Sequence, residues 1–206
     1  QSERLTLSCA IARQSNVLRL FKENEYMKPI NKVAIIGTGV IGASWAAFYL
    51  NKGFQVNAFD PAPDAEVNLN NRVRTYLLDL FELNEEKNTS SDAYISDTLK
   101  NLTFFNHLAD AVIDADFIQE NGPERIDLKK DLYTQLTQNC PKDTIIASSS
   151  SGLKISDIQN DCLYPERIVL GHPFYPPHLL PLVEIIGGEK TEQNYIQDAF
   201  EFYKLL

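Results

Sequence analysis

The sequence predicts an α/β fold with a doubly wound, mostly parallel sheet. Three observations carry that prediction. Short apolar, β-rich runs alternate along the chain with segments of helical periodicity. Gly37, Gly39 and Gly42 stand as GxGxxG between the first such run and the first helix. Asp60 closes the second run, eighteen residues beyond Gly42.

Residues 1–26 read as an extension outside the fold. Leu5 to Phe21 is moderately apolar, but Arg13, Gln14, Asn16 and Arg19 interrupt it. It is too polar and too short to span a bilayer. It lacks the basic start of a secretory signal. Met27, the only methionine, falls just before the first strand, so the domain is read as residues 27–206. Val33, Ile35 and Ile36 make a strand suited to burial on both faces. The glycine turn follows, then a helix with Ala43, Ala46, Ala47 and Leu50 along one stripe. Gly53 ends that helix. Phe54, Val56 and Ala58 begin the second strand.

PAPDAE opens a second helix, amphipathic through Val67, Val73, Tyr76, Leu77, Leu80 and Phe81 to about residue 83. NEEKNTSSD reads as a polar loop. Leu102 to Phe105 is a strand, Ala109 to Ile113 a brief helix, and Asp116 to Gln119 a strand. ENGPE breaks the chain before a helix over about Leu128 to Thr137. Thr144 to Ala147 is the next strand and runs into Ser148, Ser149, Ser150, Ser151 and Gly152. A short helix covers Ile155 to Asn160. Strands at Ile168 to Leu170 and Leu182 to Ile186 follow, and a helix at Gln193 to Leu206 closes the chain. No cap or stop signal follows Leu206, so this last helix reads as truncated.

Strand, GxGxxG, helix, strand and acid together make the Rossmann dinucleotide fingerprint. Gly37, Thr38, Gly39, Val40, Ile41 and Gly42 form the candidate pyrophosphate turn, with a helix N-terminus offering N–H groups to an anion. Gly37 suits the turn, Gly39 lets backbone approach a phosphate, and Gly42 lets the helix pack on the strand. Asp60 suits the hydroxyls of an adenosine ribose and repels a 2′-phosphate. Pro61 and Ala62 supply no arginine for one, so the cofactor is read as NAD rather than NADP.

The net charge of −9 argues against nucleic acid and anionic membranes as partners, leaving a small-molecule substrate. Cys9, Cys140 and Cys162 are odd in number and widely spaced. They read as free thiols of a reducing cytoplasm, without metal-ligand spacing. In a doubly wound sheet the ligand lies outside the carboxyl ends of the strands. Gly37, Asp60, Glu120, Ser148 to Ser151 and His172 all fall there. His172 directly follows a strand in GHPFYPP, and Glu184 lies twelve residues on, inside the next. Such a pair suits general-base work, although from spacing alone His172 equally reads as a loop histidine bonded to backbone. The serines either end a strand or donate to a substrate oxygen or the nicotinamide amide. His107 and His178 read as loop histidines.

GTGVIG with Asp60, ENGPE, SSSSGL and GHPFYPPHLLPLVE, in this order, resemble the 3-hydroxyacyl-CoA dehydrogenase superfamily from about Lys32 onward. FDPAPDAE, ASSSSGL and PERIVLGHPF resemble its L-carnitine dehydrogenase branch more than the CoA enzymes, with the lambda-crystallin type gulonate dehydrogenases close behind. The resemblance implies His172 as general base, Glu184 as its partner and Ser151 near the substrate hydroxyl. It implies Glu120 beside the cofactor, while Lys129 has either a role there or a solvated one. The family's H-x-x-N-P pattern has Tyr175 in place of its Asn. Phe174 and Tyr175 either face a trimethylammonium group or pack a loop. The resemblance further implies a C-terminal helical domain, absent from this chain, that completes the substrate site and builds a homodimer. The implied activity is NAD-dependent oxidation of a short 3-hydroxy acid, L-carnitine first, with 3-hydroxyacyl-CoA and L-gulonate as alternatives. A non-catalytic, crystallin-like NAD-binding protein is the alternative of another class.

Overall fold

The computed structural model describes residues 5–6, 28–84 and 89–206. One eight-stranded sheet runs through its centre. Its strands are β1 (Leu5–Thr6), β2 (Lys32–Ile36), β3 (Gln55–Phe59), β4 (Leu102–Phe104), β5 (Phe117–Glu120), β6 (Ile145–Ser148), β7 (Ile168–Pro173) and β8 (Val183–Gly187). Their order across the sheet is β1-β8-β7-β6-β5-β2-β3-β4. Strands β2 to β7 run parallel, while β8 and β1 pair antiparallel. The chain winds outward from β2 through β3 to β4, then returns to β5 on the other side of β2. That reversal opens a crevice beyond the carboxyl ends of β2 and β5.

The helices are α1 (Val40–Asn51), α2 (Ala65–Leu83), α3 (Ser91–Thr98), α4 (Leu108–Val112), α5 (Ile126–Asn139), α6 (Ile155–Ile158) and α7 (Gln193–Leu205). They cover both faces of the sheet. Val33, Ile35, Phe117 and Val169 pack with Trp45 and Phe48 of α1, Leu69 and Val73 of α2, and Phe202 of α7. On the other face Ala34, Ile36, Ile118, Ile146 and Ile168 meet Val112 of α4, Leu136 of α5 and Ile158 of α6. Residues alternate between the two faces along each strand, as pleating requires.

Helix α1 is buried all round from Gly42 to Leu50, as its near-continuous apolar sequence demands. Gly37 takes φ +86°, and a Cβ on Gly42 would lie 1.9 Å from the Gly37 carbonyl oxygen. The helix therefore meets both the turn and Ile35 of the strand.

Three readings change. Ser91 and Asp92, read as the end of a polar loop, open a helix that runs over residues 91–98; Ser90 Oγ accepts from Ala93 N at 3.3 Å, an N-cap. Only Ile95 of that helix is buried, so little periodicity marked it. Strand β7 continues to Pro173, so His172 lies within the strand rather than after it. The cause is the antiparallel pairing with β8, which sets His172 opposite Glu184. Leu5 and Thr6, read as outside the fold, pair with Ile185 and Glu184 at the sheet edge. The rest of the N-terminal segment, Cys9 included, lies outside the described residues. Cys140 and Cys162 are free thiols.

Candidate active site

The glycine turn is built for an anion. Gly39 is the N-cap of α1, with no side-chain cap and no acidic residue in the first turn. The first N–H groups of the helix, at Val40, Ile41 and Gly42, are orphan donors. A Cβ on Gly39 would meet nothing within 4 Å, so open space lies over the turn. A pyrophosphate fits there. Asp60 follows β3 and accepts from Thr38 N at 2.7 Å, Thr38 Oγ1 at 3.2 Å and Ala62 N at 2.9 Å. Thr38 thus ties the glycine turn to Asp60 through both its amide and its hydroxyl. Asp60, Pro61, Ala62, Asp64, Glu66, Phe104 and Asn106 border an open pocket of about 370 Å³. The pocket carries carboxylates and no arginine or lysine, which suits an unphosphorylated ribose.

Glu120 ends β5 with its side chain on the α5 face. Lys129 Nζ lies 2.7 Å from each of its carboxylate oxygens. Gly122 N, Tyr133 OH and Ser148 Oγ donate to the same carboxylate at 2.6, 3.1 and 3.0 Å. Glu120 and Lys129 are fully buried. Glu120 therefore braces the ENGPE loop from inside the protein, and Lys129 is buried with it rather than solvated. A carboxylate this far from water must be paired and fully hydrogen-bonded.

The serine run is knitted to the ENGPE loop. Ser148 bonds Glu120; Ser149 Oγ donates to Asn121 Oδ1 at 2.7 Å; Ser150 Oγ donates to Glu124 at 2.5 Å. Glu124 Oε1 also accepts from the amides of Ser151 and Gly152 at 3.1 and 2.9 Å. Partial burial pushes the Glu124 carboxyl up, but the bonds from Ser150 and Gly152 outweigh it and hold it below its ordinary range. Three of the four hydroxyls are thus occupied within the protein, and Ser151 is the exposed member.

His172 and Glu184 face each other across β7 and β8. Nδ1 lies 3.2 Å from Oε2, with both side chains about one-third exposed or less than two-fifths. The carboxylate sets Nδ1 as the protonated nitrogen and leaves Nε2 able to accept a proton. Phe174 and Tyr175 follow at the strand end and are 42% and 55% exposed. The Phe174 ring stands 6.2 Å from the His172 ring. Neither aromatic is packed away into the core.

His178 lies in a loop, as read, but not on the surface. It is buried, its Nδ1 2.7 Å from Ser44 Oγ in α1 and its backbone N–H donating to the same oxygen at 3.1 Å. Tyr76 stacks on the ring at 4.4 Å, and Asp79 Oδ2 lies 3.4 Å from Nε2. Burial lowers its pKa, with Asp79 opposing. This ties the loop after His172 to the helix of the glycine turn. His107 heads α4.

The model of the 3-hydroxyacyl-CoA dehydrogenase NAD binding domain matches residues 32–206. The chain belongs to that family. It is an NAD-binding domain with the Rossmann architecture. An L-carnitine dehydrogenase of Nocardiopsis dassonvillei is 43% identical over 175 residues, 85% of this chain and 51% of that protein. One of Pseudomonas syringae is 40% identical, covering 88% and 54%. A solved diketoreductase structure superposes with TM-score 0.77 at 31% identity, over 87% of this chain and 62% of that one. The 3-hydroxybutyryl-CoA dehydrogenase of Escherichia coli K12 does so at 0.78 and 26%, over 86% and 37%. The chain spans about half the length of the curated relatives it matches. Among the described residues no helix is long and apolar enough to cross a membrane.

Proposed function

We propose that the protein carrying this chain oxidises the 3-hydroxyl of a short hydroxy acid with NAD, L-carnitine to 3-dehydrocarnitine foremost. The observation that carries the reading is the His172–Glu184 pair, 3.2 Å apart, with His172 at the carboxyl end of β7 as the glycine turn is at that of β2. Bound NAD supplies the acceptor for the C3 hydride. His172 Nε2 takes the hydroxyl proton as the carbonyl forms, and Glu184 fixes the tautomer and stabilises the imidazolium. Ser151 holds the substrate oxygen. Phe174 and Tyr175 offer aromatic faces to a trimethylammonium group. Gly39, Val40, Ile41 and Gly42 hold the pyrophosphate, and Asp60 the adenosine ribose.

The chain matches only about half of each relative's length, which leaves room in the whole protein for a further domain; on this reading it is helical, closes the substrate site and pairs two copies. A cytoplasmic location suits such an enzyme. Tyr175 in the family's Asn position favours a second reading, an NAD-binding protein without turnover. Steady-state assays of the full-length protein with L-carnitine, L-gulonate and acetoacetyl-CoA (reduced with NADH) separate these readings. Carnitine should give the highest kcat/KM. Turnover of none of the three would leave the non-catalytic reading standing.

A further inference from the structure

Strand β5 carries a second buried polar side chain, on the face opposite Glu120. Gln119 is 0% exposed among the aromatic rings of α1 and α7. Its Oε1 accepts from Tyr49 OH of α1 at 3.2 Å and Tyr203 OH of α7 at 2.6 Å. Its Nε2 donates to Ser149 Oγ at 2.9 Å and to the carbonyl oxygen of Gly171 at 3.3 Å. The four partners use all four hydrogen-bonding positions of the carboxamide. The amide orientation is dictated, because a backbone carbonyl only accepts. Ser149 Oγ donates in turn to Asn121 Oδ1, and Asn121 Nδ2 donates back to the backbone carbonyl of Gln119 at 2.9 Å, closing a ring.

We propose that Gln119 is a positioning residue for the reaction, holding the strand segment before His172 in register with the serine and ENGPE loops beside the glycine turn. The inference rests on the reading of His172 as the base. Gly171 is the residue immediately before His172, and a Cβ there would lie 2.3 Å from Tyr203 OH. Strand and hub are therefore in direct contact. At the other end, Asn121 N donates to Ile36 O at 2.7 Å, and a Cβ on Gly37 would lie 2.8 Å from the Asn121 carbonyl. One buried side chain thus stands between the cofactor turn and the base. A misplacement of about 1 Å is enough to cost roughly a hundredfold in rate.

The test is a double-mutant cycle in the full-length protein, with Gln119→Met, His172→Gln and both together. Gln119→Met keeps length and volume but makes none of the four bonds. It should lower kcat by about 10- to 100-fold. Calorimetric NAD affinity should stay within about threefold, because the turn backbone keeps its own bonds. In the His172→Gln background the same change should cost less than about threefold, since Gln119 acts through His172. A merely structural residue would instead multiply the two losses, and that result would overturn the proposal. So would normal kcat in Gln119→Met beside a crippled His172→Gln. Full turnover by His172→Gln itself would overturn the reading of the base and this inference with it. If Gln119→Met does not fold, Tyr203→Phe decides. It removes the shortest bond to the hub and should lower kcat at least about threefold with NAD affinity kept; unchanged kcat would overturn the proposal.

Discussion

Replacing Lys129 by Met removes an ammonium from the interior and leaves its partner charged. Lys129 Nζ contacts both oxygens of Glu120 at 2.7 Å, and the two side chains are 2% and 0% exposed. Breaking a buried pair from one side typically costs about 3–5 kcal/mol, mostly the stranded charge. Glu120 would keep three donors, from Gly122, Tyr133 and Ser148. The lower end, about 3 kcal/mol, is therefore expected. For a domain of this size that corresponds to a melting temperature lower by about 6–12 °C. Urea and thermal unfolding of the intact protein at pH 7 read both quantities. Lys129→Met with Glu120→Gln should recover more than half of the loss, because no charge is then stranded. A single-variant loss below about 1 kcal/mol, or no recovery in the double variant, would refute the reasoning.

Calorimetry should show NAD binding well ahead of NADP, and Asp60→Ala should narrow that gap by removing the carboxylate that meets a 2′-phosphate; equal affinities in the unmodified protein would remove Asp60 from the account. His172→Gln should lower kcat by about two to four orders of magnitude with NAD affinity little changed, and near-normal turnover would make His172 structural. Glu124 predicts a pH effect. Its folded pKa lies below its ordinary value of 4.5, so between the two the unfolded chain binds more protons. Its contribution is present above about pH 4.5 and is lost as pH falls through the lower folded value. Acid unfolding followed by circular dichroism should show Glu124→Gln losing less stability over that window than the parent; parallel curves would contradict this.

How much of the fold was legible follows from where the interactions lie. The turn at Gly37 to Gly42 and the acid at Asp60 are local, and their order along the chain is their meaning. Spacing alone left His172 open as a loop histidine, and the resemblance carried the His172–Glu184 pair; the antiparallel register of β7 and β8 is what makes it a contact. Glu120 was found as a position, but its buried partners were not. Its side chain turns inward to Lys129 and Tyr133, and no pattern in a four-residue strand says which face it takes. Gln119 left no signal. Its partners Tyr203 and Gly171 are 84 and 52 residues away, and a glutamine in an apolar strand looks like a flaw until they arrive. His178 was missed for the same reason, since Ser44 is 134 residues distant. The helix at 91–98 escaped because Ile95 is its one buried residue and leaves no apolar periodicity.

In the proposed reaction hydride leaves C3 of a 3-hydroxy acid for NAD while His172 takes the proton. The most direct measurement uses the full-length protein with NAD and L-carnitine deuterated at C3, followed by mass spectrometry of the reduced cofactor. Each NADH formed should carry one deuterium, and NADH formation should slow by about two to four orders of magnitude in His172→Gln. Unlabelled NADH, or labelled NADH formed at the parent rate in His172→Gln, would contradict it.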